Sequence, residues 1–265
     1  MKGRVLIVAG SDSGGGAGIQ ADVKTVTALG GYAATAITAL TAQNTQGVFD
    51  VMGVEPPFIA RQMRLVLEDI GADAIKTGML HSAEVVATVA EVLRALARDI
   101  PLVVDPVMVA KSGTALLDRE ARNVIIRHLI PLATVVTPNI PEAEVLTGLA
   151  IRNPEDMLRA AEVLLGYGAK AVLLKGGHLE SDQITDVLLA PEGVELFRNP
   201  RIHTAHTHGT GCTLASAIAT GVAQRRPLRE AVERARAYVQ GAIRTAPGFG
   251  AGHGPLNHGH TVKDF

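Results

Sequence analysis

The sequence predicts an α/β fold, a doubly wound, mostly parallel sheet with helices on both faces. Three observations carry this expectation. Short β-branched runs alternate along the chain with longer segments of helical periodicity, the pattern of right-handed βαβ units. Those runs are apolar at nearly every position, as strands covered on both faces are. The chain has 265 residues, is 47% hydrophobic and carries a formal charge of -1, which suits one compact domain over 1–265 better than two small ones.

Taken in order, "RVLIVA" is the first strand, and it runs into Gly10, Ser11 and Asp12. "YAATAITAL" with "VFDVMGV" reads as an edge or flap hairpin, and so does "ITDVLLA" with "VELFRN" further on. "DAIKTG", "LVVD", "TVVTPN" and "AVLLKGG" are the remaining core strands. A helix over 82–98 places Val85, Val89, Val92, Leu93 and Leu96 on one face, with Glu84, Glu91, Arg94 and Arg98 opposite. Another over 228–244 turns Leu228, Val232, Ala235, Val239 and Ile243 inward and leaves Glu230, Arg234 and Arg244 on a solvated face. The tail "GFGAGHGPLNHGH" is mostly loop.

A near-neutral balance offers neither nucleic acid nor a membrane surface a basic face, so small molecules are the expected partners. No apolar stretch is long enough to cross a bilayer, and the start of the chain breaks into glycines too soon for a signal peptide. A cytoplasmic protein is therefore expected. The single cysteine, Cys212, excludes an intramolecular disulfide and a multi-cysteine zinc site. His203, His206 and His208, or His253, His258 and His260, lack a nearby carboxylate and read as solvated or hydrogen-bonding histidines rather than zinc ligands.

In open parallel sheets, ligands bind beyond the carboxyl ends of the strands. Here those ends deliver Gly10, Ser11 and Asp12, then Thr77, Gly78 and Met79, then Asp105, Asn139 and Lys175 to one rim. "GSDSGGGAGIQAD" contains no strict G-x-G-x-x-G, and a looser register begins too far past the strand end, which counts against a dinucleotide-dependent oxidoreductase. At "HGTGCTLASAIATGV", glycines precede a helix whose first turn exposes unpaired amides, a geometry that holds anions. Gly209 and Gly211 let those amides converge on a phosphoryl group in transfer. The same field would lower the Cys212 thiol and make it a base for a substrate hydroxyl. Asp105, Asn139 and Glu142 offer hard oxygens for a Mg²⁺ that shields nucleotide phosphates, and Lys175 adds a positive charge near them.

Together, "GSDSGGGAGIQAD", "TAQNTQGV", "KTGML", "DPVMVAKSG", "TPNIPEAEVL", "KGGH", "HTHGTGCTLASAIA" and "GHGPLNH" resemble the hydroxymethylpyrimidine and hydroxymethylpyrimidine phosphate kinases of thiamine biosynthesis, in the ribokinase-like fold. The resemblance spans nearly the whole chain. It implies ATP-dependent phosphorylation of 4-amino-5-hydroxymethyl-2-methylpyrimidine, then a second transfer giving the diphosphate, by a homodimer. It also implies that Gln43, or its neighbour Asn44, contacts the pyrimidine's polar edge, and that Gly10, Asp22, Met79, Val107 and Cys212 line the rest of the pocket. Many sugar kinases of this fold carry aspartate where Cys212 stands. Either a thiolate serves as base here, or positioning and the anion hole carry most of the rate. The alternatives are a pyridoxal or pyridoxine kinase of the same fold and a non-catalytic pyrimidine-binding protein, which would not need Asp105 and Glu142.

Overall fold

The computed structural model describes residues 1–108 and 119–262. The end of the "DPVMVAKSG" motif lies outside them. Its strands are β1 (Arg4–Asp12), β2 (Tyr32–Gln43), β3 (Val48–Gly53), β4 (Ala74–Thr77), β5 (Leu102–Val104), β6 (Val135–Val136), β7 (Val172–Leu174), β8 (Gln183–Ala190) and β9 (Gly193–Pro200). Its helices are α1 (Gly18–Ala28), α2 (Pro56–Leu65), α3 (Ala83–Leu96), α4 (Arg119–Val124), α5 (Ile140–Thr147), α6 (Pro154–Gly166), α7 (Thr210–Ala223) and α8 (Leu228–Arg244).

Among the described residues, the strands form one nine-stranded sheet in the order β3-β2-β1-β4-β5-β6-β7-β8-β9. The six from β2 to β7 in that order pair in parallel. At the edges β3 lies antiparallel to β2, and β8 and β9 form an antiparallel hairpin on β7. The chain steps outward from β1 to β2 and then returns across β1 to β4. A topological switch point, where crossovers diverge and leave a crevice, therefore falls between β1 and β4.

Because successive side chains on a strand point to opposite faces, the apolar runs divide into two cores. Leu6, Val8, Ile75 and Val104 face one layer, where they meet Met63 of α2 and Val86, Val89 and Leu93 of α3. Val5, Ile7, Ala74 and Val103 face the other, against Val26 of α1, Leu214 and Ile218 of α7 and Val232 and Val239 of α8. Burying each such Val, Leu or Ile contributes roughly 1.5–3 kcal/mol. Both layers are needed to seal a parallel sheet.

The first expected hairpin stands at the sheet edge: β3 is the outermost strand, Ala39 to Gln43 of β2 pair with it, and Tyr32 to Thr41 pair with β1 on the other side. Two expectations change. In α3, capped by Ser82 Oγ accepting from Val85 N, the inward face is as expected except at its end. Leu96 is 37% exposed while Ala97, at the C-cap, turns into the core. Arg234 is not merely solvated, since it donates to Gln224 Oε1 at 2.6 Å and to the Leu29 carbonyl at 3.2 Å.

Candidate active site

The strand alternation that builds the second core also builds the site. Two residues beyond the inward Ala74, Val103, Val135 and Leu173 stand Lys76, Asp105, Thr137 and Lys175, so four polar side chains continue the face on which α7 packs. They are tied together: Lys175 Nζ donates to Asp105 Oδ1 at 3.0 Å, and Thr137 Oγ1 donates to the same oxygen at 3.2 Å. Above this row lies a cavity of about 440 Å³ that reaches from the β1–β4 switch point to β7. Its walls include Gly10, Gln43, Met79 and Val107 at one end and Asp105, Asn139, Glu142 and Lys175 at the other, with Gly209, Gly211 and Cys212 between. Asp22 is absent from that lining.

The α7 start is built for an anion. Gly209 caps it with φ 81° and ψ 7°, a left-handed conformation that suits glycine, and a Cβ there would strike the Gly16 carbonyl. No side chain caps the helix and no acidic residue stands in its first turn; Thr210 N donates to the Thr207 carbonyl at 3.4 Å, and the amides of Gly211 and Cys212 keep their donors for something else. At Gly211 a Cβ would lie 3.3 Å from Lys175 Nζ and 3.7 Å from Asp105 Oδ2. The bare glycine keeps open the ground between the amides and the lysine.

A clamp joins this turn to the first glycine loop. Asp12 accepts from the amides of Gly14 at 2.8 Å, Gly16 at 3.1 Å and Ala17 at 2.8 Å, and from His208 Nε2 at 2.9 Å. Burial works to raise the Asp12 carboxyl, but the His208 and Ala17 hydrogen bonds outweigh it and hold the group below its ordinary value. Gln43 sits at the tip of β2, pinned by reciprocal bonds with Ser13: its amide donates to Ser13 Oγ at 2.8 Å and its carbonyl accepts from it at 2.7 Å. Gln43 Nε2 lies 3.3 Å from His208 Nε2. With the His208 N–H given to Asp12, two donors face each other there, so the Gln43 amide keeps its hydrogens for a ligand.

Beneath the cavity, Lys76 Nζ donates to Asp22 Oδ2 at 2.8 Å, and Ser216 Oγ donates to Asp22 Oδ1 at 2.7 Å. Both charged side chains are fully buried. Asp22 is therefore a support behind the wall, correcting the expectation that it lines the pocket. Lys76 does line it. Burial would lower the lysine, but the Asp22 carboxylate, with that of Asp105 in support, outweighs this and holds it above its ordinary value. Gly10 leaves room for the Met79 methyl, which a Cβ at that position would strike.

Burial works against a thiolate at Cys212 and favours the alternative in which positioning and the anion hole carry the rate. Burial pushes the Cys212 thiol up to about 12; Lys76 pulls it down, while Asp22 and Asp105 push it further up. At neutral pH the residue stands as a thiol, because desolvation outweighs the nearby lysine. Asn139 and Glu142 form a capping box on α5: Asn139 Oδ1 accepts from Glu142 N at 2.9 Å and Glu142 Oε2 accepts from Asn139 N at 2.8 Å. Cap and site coincide, since Asn139 and Glu142 both line the cavity and Glu142 Oε1 takes no part in the cap. Burial pushes Glu142 up to about 7, with Lys175 pulling down and Asp105 pushing up. Among the described residues, no group of three or more His, Cys, Asp or Glu comes together to hold a metal ion.

Lys76 was not singled out from sequence, although a lysine inside an otherwise apolar strand covered on both faces is a signal. The sequence places Asp12 at the rim and His208 among the hydrogen-bonding histidines, but nothing local pairs them, since they lie 196 positions apart.

The phosphomethylpyrimidine kinase family matches residues 12–257 of the chain. Over 263 residues it is 56% identical to the thiamine biosynthesis bifunctional protein ThiED of Geobacter sulfurreducens, covering 99% of this chain and 54% of that protein, so it spans about half the length of that relative. Over 260 residues it is 49% identical to the hydroxymethylpyrimidine/phosphomethylpyrimidine kinase of Streptomyces coelicolor, covering 98% of this chain and 96% of that one. Among solved structures it is similar to the pyridoxal kinase from Staphylococcus aureus in complex with AMP-PCP and pyridoxal, at TM-score 0.91 and 35% identity over 99% of this chain and 96% of that one. The backbone is thus a ribokinase-like α/β fold common to both kinds of kinase, while the higher identities lie with the pyrimidine enzymes. By these matches, the chain belongs to the phosphomethylpyrimidine kinase family.

Proposed function

We propose that this protein is an ATP-dependent kinase that phosphorylates 4-amino-5-hydroxymethyl-2-methylpyrimidine and then its monophosphate, giving the diphosphate in thiamine biosynthesis. One observation carries the reading: an uncapped helix start with a bare glycine facing Lys175 adjoins a crevice lined by Gly10, Gln43 and Met79. The leading amides of α7 and the Lys175 ammonium hold the γ-phosphoryl group, where the charge spreading over its oxygens is met by donors already in position. Gln43 reads the ring edge with its unengaged amide hydrogens. Cys212, as a thiol, shapes the wall beside the reacting oxygen and takes no proton.

Asp105 and Glu142 fit Mg²⁺ by donor chemistry, two carboxylates with oxygen lone pairs left over from Lys175 and the α5 cap. When bound, the ion supplies charge neutralisation at the nucleotide phosphates. Asn139 supports Glu142 through the cap. The reading includes a cytoplasmic homodimer. In support, Phe49 and Met52 on β3, with Phe58 and Leu65 on α2, are 70%, 62%, 58% and 60% exposed, large apolar side chains of the kind a second subunit covers.

A second reading, a pyridoxal or pyridoxine kinase, is favoured by the TM-score of 0.91 to such an enzyme. The two separate on ADP release with each alcohol in parallel, followed by product analysis. Faster turnover of the pyrimidine, ending in a diphosphate, is the expected result. Faster turnover of the vitamin B6 alcohol, or no second phosphate, would contradict the first reading.

A further inference from the structure

Among the described residues, two lysines line the cavity, and the phosphate-binding corner accounts for only one. Lys175 stands against Gly211, where a Cβ would come within 3.3 Å of its Nζ. Lys76 stands on β4, beside the switch point and three strands from Lys175 just past β7: a Cβ at Gly78 would lie 2.9 Å from Lys76 Nζ and 3.0 Å from Ala9 Cβ, and Gly10 and Met79 also line the cavity. Taking an ammonium fully out of water is expensive, and a pair serving stability alone is commonly matched or bettered by apolar side chains. Here the pair is retained, its carboxylate is fixed from behind by Ser216, and Lys76, although its side chain is 0% exposed, is among the residues that line the cavity. Asp22 takes one of the three ammonium hydrogens, which leaves donors for a ligand. Asp22, Asp105 and Cys212 are the titratable groups that act on it, and Asp22 and Asp105 hold it cationic.

Resting on the function proposed above, we infer that Lys76 is a catalytic residue of the acceptor end, where its ammonium meets the substrate's hydroxyl oxygen and stabilises the negative charge that grows there. The hydroxyl O–H bond breaks as the new O–P bond forms. The bond between the γ-phosphorus and the bridging oxygen breaks, and its electron pair leaves on ADP. The proton passes to an oxygen of the transferred phosphoryl group and from there to water, while Lys76 keeps its own. This explains how transfer proceeds beside a cysteine that stays a thiol.

The test uses two double variants, because Lys76→Met alone would strand the Asp22 carboxylate. Lys76→Met with Asp22→Asn removes both charges, and its melting temperature and KM for ATP report whether the fold and the phosphate end survive. With the pyrimidine alcohol as acceptor, kcat is expected to fall about 100-fold while KM for ATP stays within about twofold. In Lys76→Ala with Asp22→Asn, added ethylammonium is expected to restore about tenfold of the loss by entering the vacated space. A folded variant with kcat within about threefold of the parent protein overturns the inference, as does a loss that ethylammonium does not relieve. If the parent protein itself releases no ADP with the pyrimidine alcohol, the proposed function fails and takes this inference with it.

Discussion

The two ends of the cavity are built on the same strand register and yet differ in how their charges are kept. At the donor end, Lys175 and Asp105 are 13% and 3% exposed, and the lysine can exchange its carboxylate for an arriving phosphate. At the acceptor end, Lys76 and Asp22 are both at 0%, and their pairing is fixed before any substrate arrives. An open pair suits a group that must take up and release a highly charged nucleotide. A sealed pair suits a charge that must hold its place while a neutral alcohol reacts, since preorganised charge needs no rearrangement at the moment of transfer.

Removing the open cation tests the comparison hardest. Lys175→Met is expected to lower kcat/KM for ATP about 1000-fold, measured by ADP release, because the helix start alone cannot neutralise the terminal phosphate. The sealed lysine comes next, at the smaller and purely kcat effect set out above. If both lysines moved KM for ATP alike, the division between the ends would be wrong.

Acidity sharpens it further. Folded Glu142 keeps its proton up to about pH 7, against an ordinary value of 4.5. Between those values the native protein binds more protons than the unfolded chain, so this group's contribution to stability falls as pH rises through that window. The anion available to Mg²⁺ grows over the same range. Mg²⁺ affinity, titrated with nucleotide present, is expected to rise up to about tenfold per pH unit approaching pH 7, and to lose that dependence in Glu142→Gln. A flat profile in the parent protein would remove Glu142 from the metal's surroundings.

Smaller effects belong to the walls. His208→Ala unlatches Asp12 and Gln43 and is expected to raise KM for the pyrimidine alcohol about fivefold with kcat little changed, a loss of about 1 kcal/mol in binding. Cys212→Ala is expected to keep kcat within about threefold, because a thiol that stays protonated removes no proton. A pH–rate profile that lost an ionisation in this variant would restore the thiolate.

Much of this arrangement was legible in the sequence. Doubly covered strands and an amphipathic helix show themselves through local periodicity, and so do strand ends that stop in Asp105, Asn139 and Lys175. Gly209 and Gly211 announce the start of α7 because an apolar helical run follows them. What could not be read is what depends on distant partners. Asp22 lies 54 positions from Lys76 and 194 from Ser216, so no local pattern turns it away from the cavity. The Cys212 thiol looked acidic from its helix position, but its proton affinity follows from burial, which only the packed structure supplies. The β2–β3 hairpin was legible at the sheet edge, since β2 is half-exposed and alternates accordingly.

The most direct measurement is a crystal structure with a non-hydrolysable ATP analogue and the pyrimidine alcohol bound together. The account predicts the terminal phosphorus against the amides of Gly211 and Cys212 and the Lys175 ammonium, with the alcohol's oxygen in hydrogen-bond reach of Lys76 Nζ. A terminal phosphate lodged away from the α7 start, or an alcohol oxygen turned from Lys76, would contradict it.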